Sequence, residues 1–384
     1  MSNPQVPDEK ELRAISELCL KENPYQNFHE TDELFLTAMK ENISWHYKRN
    51  EFYKRLIDSE RFEGEALKSA EDLERVPHIL SNFFKYHEVK SITDENVYLH
   101  LTSSGTTGQK SQIFFDEWTI KSAQKMVDSI FHSYNWNSEE RTNYLLFTYE
   151  PEEGSKLGTA YTDNFLCKYA PVNEVHYGIR YLGKEEGHKF DVFGCIEALK
   201  KFERDGIPVR VFGFPSFFFF TLSKMKELGI EPLKLSKNSL VFLGGGWKGH
   251  QDKAISKSEF YSLCEEMLGI PNERLRDGFG SVEHCIPYIE CEKHNFHIPV
   301  WSRVLIRDVE SLKVLPDGEI GYLNLISPYI TSAPANSILM GDLAVKRSDC
   351  DCSLNTPWFE ILGRAGISKN KSCAVAASEL IGKV

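Results

Sequence analysis

Between residues 144 and 281 the chain repeats one local pattern: a short apolar run, a turn carrying glycine, then helical spacing. Tyr144–Phe147 ends before a Pro/Gly-rich loop, and Val209–Phe212 is followed by Gly213-Phe214-Pro215-Ser216 and a helix through Lys226. Leu240–Leu243 ends in Gly244-Gly245-Gly246-Trp247. Ser256 and Glu259 form a capping box that opens a helix to Leu268. Arg274–Phe279 leads into Gly280-Ser281. Alternation of this kind predicts α/β layering around a largely parallel sheet, with ligands gathering at the carboxyl ends of the strands, where these glycines sit.

The flanks read differently. Residues 1–90 carry apolar side chains at helical spacing, as in Glu33–Asn50 and Asn50–Ile57, and predict an N-terminal helical layer on the main domain. Asp116 is placed to cap a helix on which Ala123, Met126, Val127, Ile130 and Phe131 form one face. From Val300 on, short strands with turns at Pro316-Asp317-Gly318 and Gly321 predict a β-rich subdomain. There is no internal repeat and no low-complexity linker. The 384 residues suffice for one large domain or two.

One stretch lies outside the repeat. Leu101–Ser111, LTSSGTTGQKS, is dominated by Ser, Thr and Gly. Val97, Leu99 and Leu101 alternate with polar residues before it, and Ile113-Phe114-Phe115 follows, so it joins two short strands. Gly105 and Gly108 permit backbone that a Cβ forbids, and such a loop turns N–H groups and hydroxyls toward one anion, a triphosphate being the usual guest. It is no Walker A loop, since Gln109 precedes Lys110 and a strand follows instead of a helix. A loop of this composition is also common on plain protein surfaces.

Charge narrows the partners. Lys and Arg number 45 against 56 Asp and Glu, a net charge of −11, so no nucleic-acid partner is expected. No run of ~18 apolar residues predicts a membrane span. The acidic N-terminus lacks an apolar signal core, and nine cysteines without an export signal predict reduced thiols in the cytoplasm. Cys291-x5-His297 with Cys350-x-Cys352 offers three thiols and an imidazole, a donor set for tetrahedral zinc; His294 is an alternative to His297, and plain buried thiols are the other reading. Cys373 follows Lys369 and Lys371, whose charges favour a thiolate; it is either a nucleophile or a small buried side chain. Phe217–Phe220 either line an acyl tunnel or fill a core.

Taken in order, five stretches resemble the adenylate-forming superfamily of acyl-CoA synthetases, peptide-synthetase adenylation domains and firefly luciferase. Ser103–Lys110 follows most of its phosphate loop. Gly244-Gly245-Gly246 resembles the turn against adenine, and Phe279-Gly280-Ser281-Val282-Glu283 resembles the aromatic-Gly-x-Thr-Glu motif, with Val282 in place of Thr. Met340-Gly341-Asp342 resembles Thr-Gly-Asp, and Gly363-Arg364 resembles the Gly-Arg that opens a hinge, with Gly366 where an Asp is usual. The resemblance implies that Ser103, Ser104, Gly105, Thr106, Thr107 and Gly108 hold phosphates of ATP and that Lys110 is catalytic. It also implies that Glu283 binds Mg2+, Phe279 and Gly280 lie at adenine, Asp342 takes the ribose hydroxyls, and Arg364 pairs with ribose and phosphate.

The tail GRAGISKNKSCAVAASEL, with FGSVEHCIPYIEC, narrows the likeness to the acyl-protein synthetases of bacterial bioluminescence. Such an enzyme activates a long-chain fatty acid, tetradecanoate by expectation, as acyl-AMP. It then takes the acyl group on its own cysteine and passes it to a reductase that makes the aldehyde for light emission. By that likeness Cys373 is the acyl carrier, and the partners are the acyl reductase and acyl-transferase subunits of a fatty acid reductase complex. Residues 1–362 are then the adenylate-forming domain and residues 363–384 a short C-terminal tail in place of the superfamily's usual mobile domain. Alternatives are a CoA ligase of the phenylacetate type, whose relatives carry a similar Cys/His pattern, and a non-catalytic nucleotide-binding scaffold.

Overall fold

Apolar residues at three- and four-residue spacing make the start of the chain helical. The computed structural model describes residues 5–102, 112–152, 166–247 and 249–364. The protein divides into two compact units, one of residues 1–133, 280–288 and 295–384, the other of residues 134–279 and 289–294.

In the first unit α1 (Arg13–Cys19), α2 (Asp32–Arg49) and α3 (Glu51–Ser59) follow one another. α2 buries Phe35, Leu36, Met39, Ile43 and Trp45, one stripe of its surface. Asn50 ends α2 and caps α3, its side chain accepting from the Tyr53 N–H at 2.8 Å. Then come β1 (Ile79–Leu80), α4 (Phe83–Tyr86) and an antiparallel pair, β2 (Leu99–Thr102) and β3 (Gln112–Phe115). These are the strands expected on either side of the Ser/Thr/Gly stretch; Ser103–Ser111 itself lies outside the described residues. Asp116 does cap α5 (Glu117–Ser133), its Oδ1 accepting from the Thr119 N–H at 2.7 Å.

The second unit holds the repeat. β4 (Thr142–Tyr149), buried from Thr142 to Thr148, lies parallel to β5 (Val172–Tyr181) on one side. A continuous apolar run is what a strand covered on both faces requires. The short β6 (His188–Phe190) turns back antiparallel on β5. After α6 (Val192–Asp205) the chain returns to the other side of β4 with β7 (Val209–Gly213), then α7 (Pro215–Glu227), β8 (Leu240–Gly244), α8 (Lys257–Leu268) and β9 (Leu275–Phe279). The sheet order is β10-β9-β8-β7-β4-β5-β6, with β10 the pair Tyr288–Ile289. Strand direction therefore switches sides between β4 and β7, the crevice position of an open α/β sheet. Gly213 makes that junction possible: its φ is +118°, and a Cβ there would stand 2.4 Å from the Phe147 carbonyl oxygen.

The helices stop and start where their ends are satisfied. Ser256 and Glu259 form the capping box of α8, and Gly269 closes it in the left-handed region at φ +66°. Asp191 caps α6 through the Gly194 N–H at 2.9 Å, and Gly206 ends it at φ +66°. Leu145, Phe147, Leu199, Val211, Phe218 and Val241 are central to the core that these elements enclose.

The remaining strands belong to the first unit: β11 (Phe296–His297), β12 (Arg303–Arg307), β13 (Ile320–Ile326), β14 (Ser337–Arg347) and β15 (Trp358–Arg364). They form an antiparallel sheet in the order β11-β15-β14-β13-β12, joined by β1, which runs parallel to β14. This is the β-rich part expected after Val300. Between β13 and β14 the chain is irregular yet buried, and α2 supplies its hydrogen bonds. Asn42 Nδ2 donates to the carbonyls of Pro328 (2.6 Å) and Ile330 (2.9 Å), and Trp45 Nε1 to that of Thr331 (2.8 Å). The helical N-terminus is thus bound to the strand region by buried polar contacts as well as by packing. Among the described residues no helix is long and apolar enough to cross a membrane.

Candidate active site

In the first unit the strand register brings a carboxylate and a guanidinium together. Asp342 on β14 is the cross-strand partner of Arg364 on β15, and Arg364 Nε lies 3.4 Å from Asp342 Oδ1. Gly363, at φ +149°, and a register shift at Leu343/Ala344 sit beside this pair. Asp342 is buried while the Arg364 side chain is 65% exposed, so the ion pair is screened on one side only. Burial pushes the Asp342 carboxyl above its usual range, Arg364 opposes that, and the nearby Glu283 carboxylate adds to it. Glu283, Asp342 and Arg364, expected from separate motifs, are therefore neighbours.

Glu283 is held by its own segment. The amides of His284 and Cys285 both donate to the Ser281 carbonyl, at 3.2 and 2.7 Å, and fold residues 281–285 into a turn. Below it the buried His284 Nε2 meets Tyr288 Oη at 2.8 Å, and Tyr288 Oη meets Ser302 Oγ at 2.6 Å. Tyr329 Oη donates to the Cys285 carbonyl at 2.9 Å. Burial takes the His284 imidazole down to about 3, so it is neutral and acts as a hydrogen-bonding strut. Sequence reading missed this strut; a lone His and Tyr four residues apart carry no distinctive pattern. Gly280 is exposed, and a Cβ there would touch the Ile286 carbonyl oxygen only at an ordinary 3.7 Å.

In the second unit Gly244–Gly246 and Phe279 stand at the carboxyl ends of neighbouring strands, Gly244 being paired with Gly278. A Cβ on Gly244 would lie 3.2 Å from the Gly278 carbonyl oxygen, and Gly245 and Gly246 have φ of +76° and +69°. The triple glycine is thus required by the turn, and it leaves peptide groups open to solvent. Trp247 packs its ring 5.4 Å from that of Phe219. Of Phe217–Phe220, Phe218 is fully buried in the core, while Phe217, Phe219 and Phe220 are half-buried. Phe217 and Phe219 also pack against that core from its edge, so the run serves the core with three of its rings.

His297, Cys350 and Cys352, all in the first unit, bring their donor atoms within 4.8 Å of one another. His297 Nδ1 bonds the Thr356 carbonyl at 2.8 Å, which fixes the tautomer and turns Nε2 to Cys352 Sγ at 3.2 Å. Burial lowers the His297 imidazole to about 4. Soft thiolates around a neutral imidazole suit zinc, whose tetrahedral ligand atoms lie ~3.5–3.8 Å apart. Cys291 stands six residues before His297 in the chain, its Sγ accepting from the Lys293 N–H at 3.3 Å. His294 is engaged elsewhere, its Nε2 2.7 Å from Asn272 Oδ1. Ser103, Ser104, Gly105, Thr106, Thr107, Gly108, Lys110 and Cys373 lie outside the described residues.

A family model described as "Acyl-protein synthetase, LuxE" matches residues 4–381. The chain belongs to this family. Two relatives named long-chain-fatty-acid–luciferin-component ligase are similar over almost all their length. The one from Aliivibrio fischeri is 25% identical over 377 residues, 96% of this chain and 94% of the relative. The one from Vibrio harveyi is 24% identical over 369 residues, 95% and 93%. Among solved structures, 2-hydroxyisobutyryl-CoA ligase in its postadenylation state superposes with a TM-score of 0.66 at 14% identity, covering 95% of this chain and 73% of that one. An open conformation of that ligase gives 0.66 at 14% identity, with 96% and 76% covered. At such identity the likeness is one of fold, the adenylate-forming ligase fold that the ordered motifs implied. As an acyl-protein synthetase the chain is an acid–thiol ligase.

Proposed function

We propose that this acyl-protein synthetase uses ATP to activate a long-chain fatty acid of about tetradecanoate length and loads the acyl group on its own Cys373. The observation that carries the proposal is the convergence of Glu283, Asp342 and Arg364 in one family member, each on the motif where an adenylate-forming site needs it. Residues 1–362 form the adenylating body in this reading, and residues 363–384 the acceptor tail. The reaction takes place in the cytoplasm.

A carboxylate is a poor acyl donor because oxide is a hopeless leaving group. Its oxygen attacks the α-phosphorus of ATP, a P–O bond forms, the bond to the β-phosphate bridge breaks, and pyrophosphate departs. Cys373 gives up its thiol proton to solvent; the thiolate then attacks the acyl carbon, a C–S bond forms, the C–O bond to the phosphate breaks, and AMP leaves. No redox partner is needed until the thioester reaches an acyl reductase. The chain contributes position and charge, the main levers in phosphoryl chemistry. Asp342 accepts the ribose hydroxyls, Arg364 neutralises it and reaches a phosphate oxygen, and the peptide groups of Gly244–Gly246 with Phe279 and Gly280 face adenine. Ser103–Gly108 and Lys110 take the phosphates. Two carboxylates as close as Glu283 and Asp342 leave an excess of negative charge that suits a hard cation. Mg2+ bound at Glu283 supplies charge neutralisation for the phosphate oxygens. In this reading Cys291, His297, Cys350 and Cys352 would hold a structural zinc. The acyl reductase and acyl-transferase subunits of a fatty acid reductase complex are the partners.

The test is an incubation with ATP, Mg2+ and labelled tetradecanoate. Label on the protein that neutral hydroxylamine removes, and that is lost in Cys373→Ser while pyrophosphate exchange persists, is the expected result. Label on added CoA alone, or none, overturns the proposal.

A further inference from the structure

The seven-stranded sheet has another end. At the amino-terminal edge of its parallel strands, away from the glycine turns, lies a cavity of about 150 Å3. Thr142 opens β4 there, Arg210 is the second residue of β7, Asn238 lies two residues before β8, and Arg274 immediately precedes β9. Arg210 is 4% exposed. Its Nη2 donates to the Trp136 carbonyl and its guanidinium also engages the Tyr144 hydroxyl, while its buried Nη1 meets no acceptor. Arg274, which lines the cavity, anchors itself through Nε to the Ser239 carbonyl (3.0 Å) and Nη2 to the Asn238 carbonyl (2.9 Å).

A guanidinium taken out of water without a counter-charge costs several kcal/mol, so a fold that retains one has a use for it. Both groups bear the mark of that cost. Burial draws the Arg210 and Arg274 guanidinium groups down, with Tyr144 and Cys167 opposing it at Arg210; Arg210 and Arg276 repel Arg274 further, and Glu273 only partly offsets them. Only one acidic residue, the exposed Glu140, lines the cavity against the two arginines. The Ser138 hydroxyl accepts from the Glu140 N–H at 3.0 Å and keeps its own proton to donate. At ~30 Å3 per water the space holds about five waters, or one tetrahedral oxyanion, and is too small for a nucleotide or an acyl chain.

We propose that this cavity binds a small dianionic oxyanion of phosphate size, gripped by Arg210 and Arg274 with Ser138 as a third donor. Free inorganic phosphate is the ligand proposed; pyrophosphate shares its chemistry, and titration with each separates the two. The site is separate from the proposed nucleotide-binding turns because it sits at the opposite ends of the same strands.

The experiment is calorimetry on the full chain in oxyanion-free buffer, titrated with inorganic phosphate, pyrophosphate and, at equal ionic strength, sodium chloride. One phosphate per chain is expected at this site. Its affinity falls by ~10-fold or more in Arg274→Gln and rises in Glu140→Gln, as loss of a charge-assisted donor or of a repelling carboxylate requires. Phosphate held at Ser103–Lys110 would be indifferent to both changes, so equal affinity in wild type and Arg274→Gln overturns the proposal. Absence of phosphate heat up to about 10 mM does the same. Arg210→Met is expected to melt no lower than wild type without phosphate and to lose the rise that phosphate gives. Pyrophosphate exchange measured without phosphate stays within about twofold in Arg274→Gln. Its collapse together with binding would make Arg274 a residue of the fold and overturn the assignment.

Discussion

Asp342→Asn separates stability from chemistry, because the buried carboxylate is a burden on the fold and, in the proposed mechanism, an asset to the site. It is buried, it faces the like charge of Glu283, and the cation paired with it among the described residues, Arg364, is mostly in water. Asparagine keeps the shape and sheds the charge, so folding at neutral pH should be unchanged or strengthened. The pH dependence has a fixed sign. A carboxyl whose folded-state value lies above its ordinary 3.8 contributes stability that is fully present below that value and is lost as pH rises through the folded one. Any advantage of Asp342→Asn in urea is therefore expected at pH 7 and should vanish near pH 4. Activity should move the other way. An amide offers one accepting oxygen where two ribose hydroxyls need a charged pair of lone-pair sites, and loss of a hydrogen bond to a charged group is worth ~1.5–3 kcal/mol. That converts to a ~10–150-fold fall in kcat/KM for ATP in pyrophosphate exchange. Exchange within threefold of wild type, or a large drop in the urea midpoint at pH 7, would refute the reasoning.

Three further outcomes follow from other parts of the molecule. Tyr288→Phe removes the hydroxyl that joins His284 and Ser302, at an expected cost of ~1–3 kcal/mol in urea, with slower adenylation as Glu283 loses its strut; an unchanged midpoint contradicts this. Gly213→Ala forces a Cβ against the Phe147 carbonyl in a left-handed backbone, and should destabilise by ~2 kcal/mol or more in thermal unfolding, whereas Gly229→Ala, with open space around it, should cost less. Elemental analysis of the purified chain should find about one zinc, lowered by Cys352→Ser; less than ~0.2 per chain removes the metal site.

The strands of the second unit were legible because a buried parallel strand must be apolar throughout and must end where a helix can begin. Val209–Phe212, Leu240–Leu243 and the Ser256/Glu259 capping box all stand where the pattern put them. β6 and β10 were not legible, for strands of three and two residues have no periodicity to show. Asp191 and Gly206, which bracket α6, were in view and carried a signal that the alternation overshadowed. At the site, Glu283, Asp342 and Arg364 could be named from motifs, but their meeting depends on cross-strand register, which no local spacing encodes. Arg210 was invisible for a related reason. One charge within an apolar strand says nothing of Arg274, 64 residues away, until the sheet aligns their strand starts.

The pairing of Asp342 with Arg364 has a mechanical corollary. Arg364 is the last residue of β15, so the polypeptide leading on to Cys373 leaves the sheet at the very rung that holds Asp342, the carboxylate proposed to face the nucleotide. Tension on that segment would be felt first by one solvent-screened contact, the weakest link of the ladder. On the proposed roles, loading the thiol and loosening the grip on spent AMP would be a single pull.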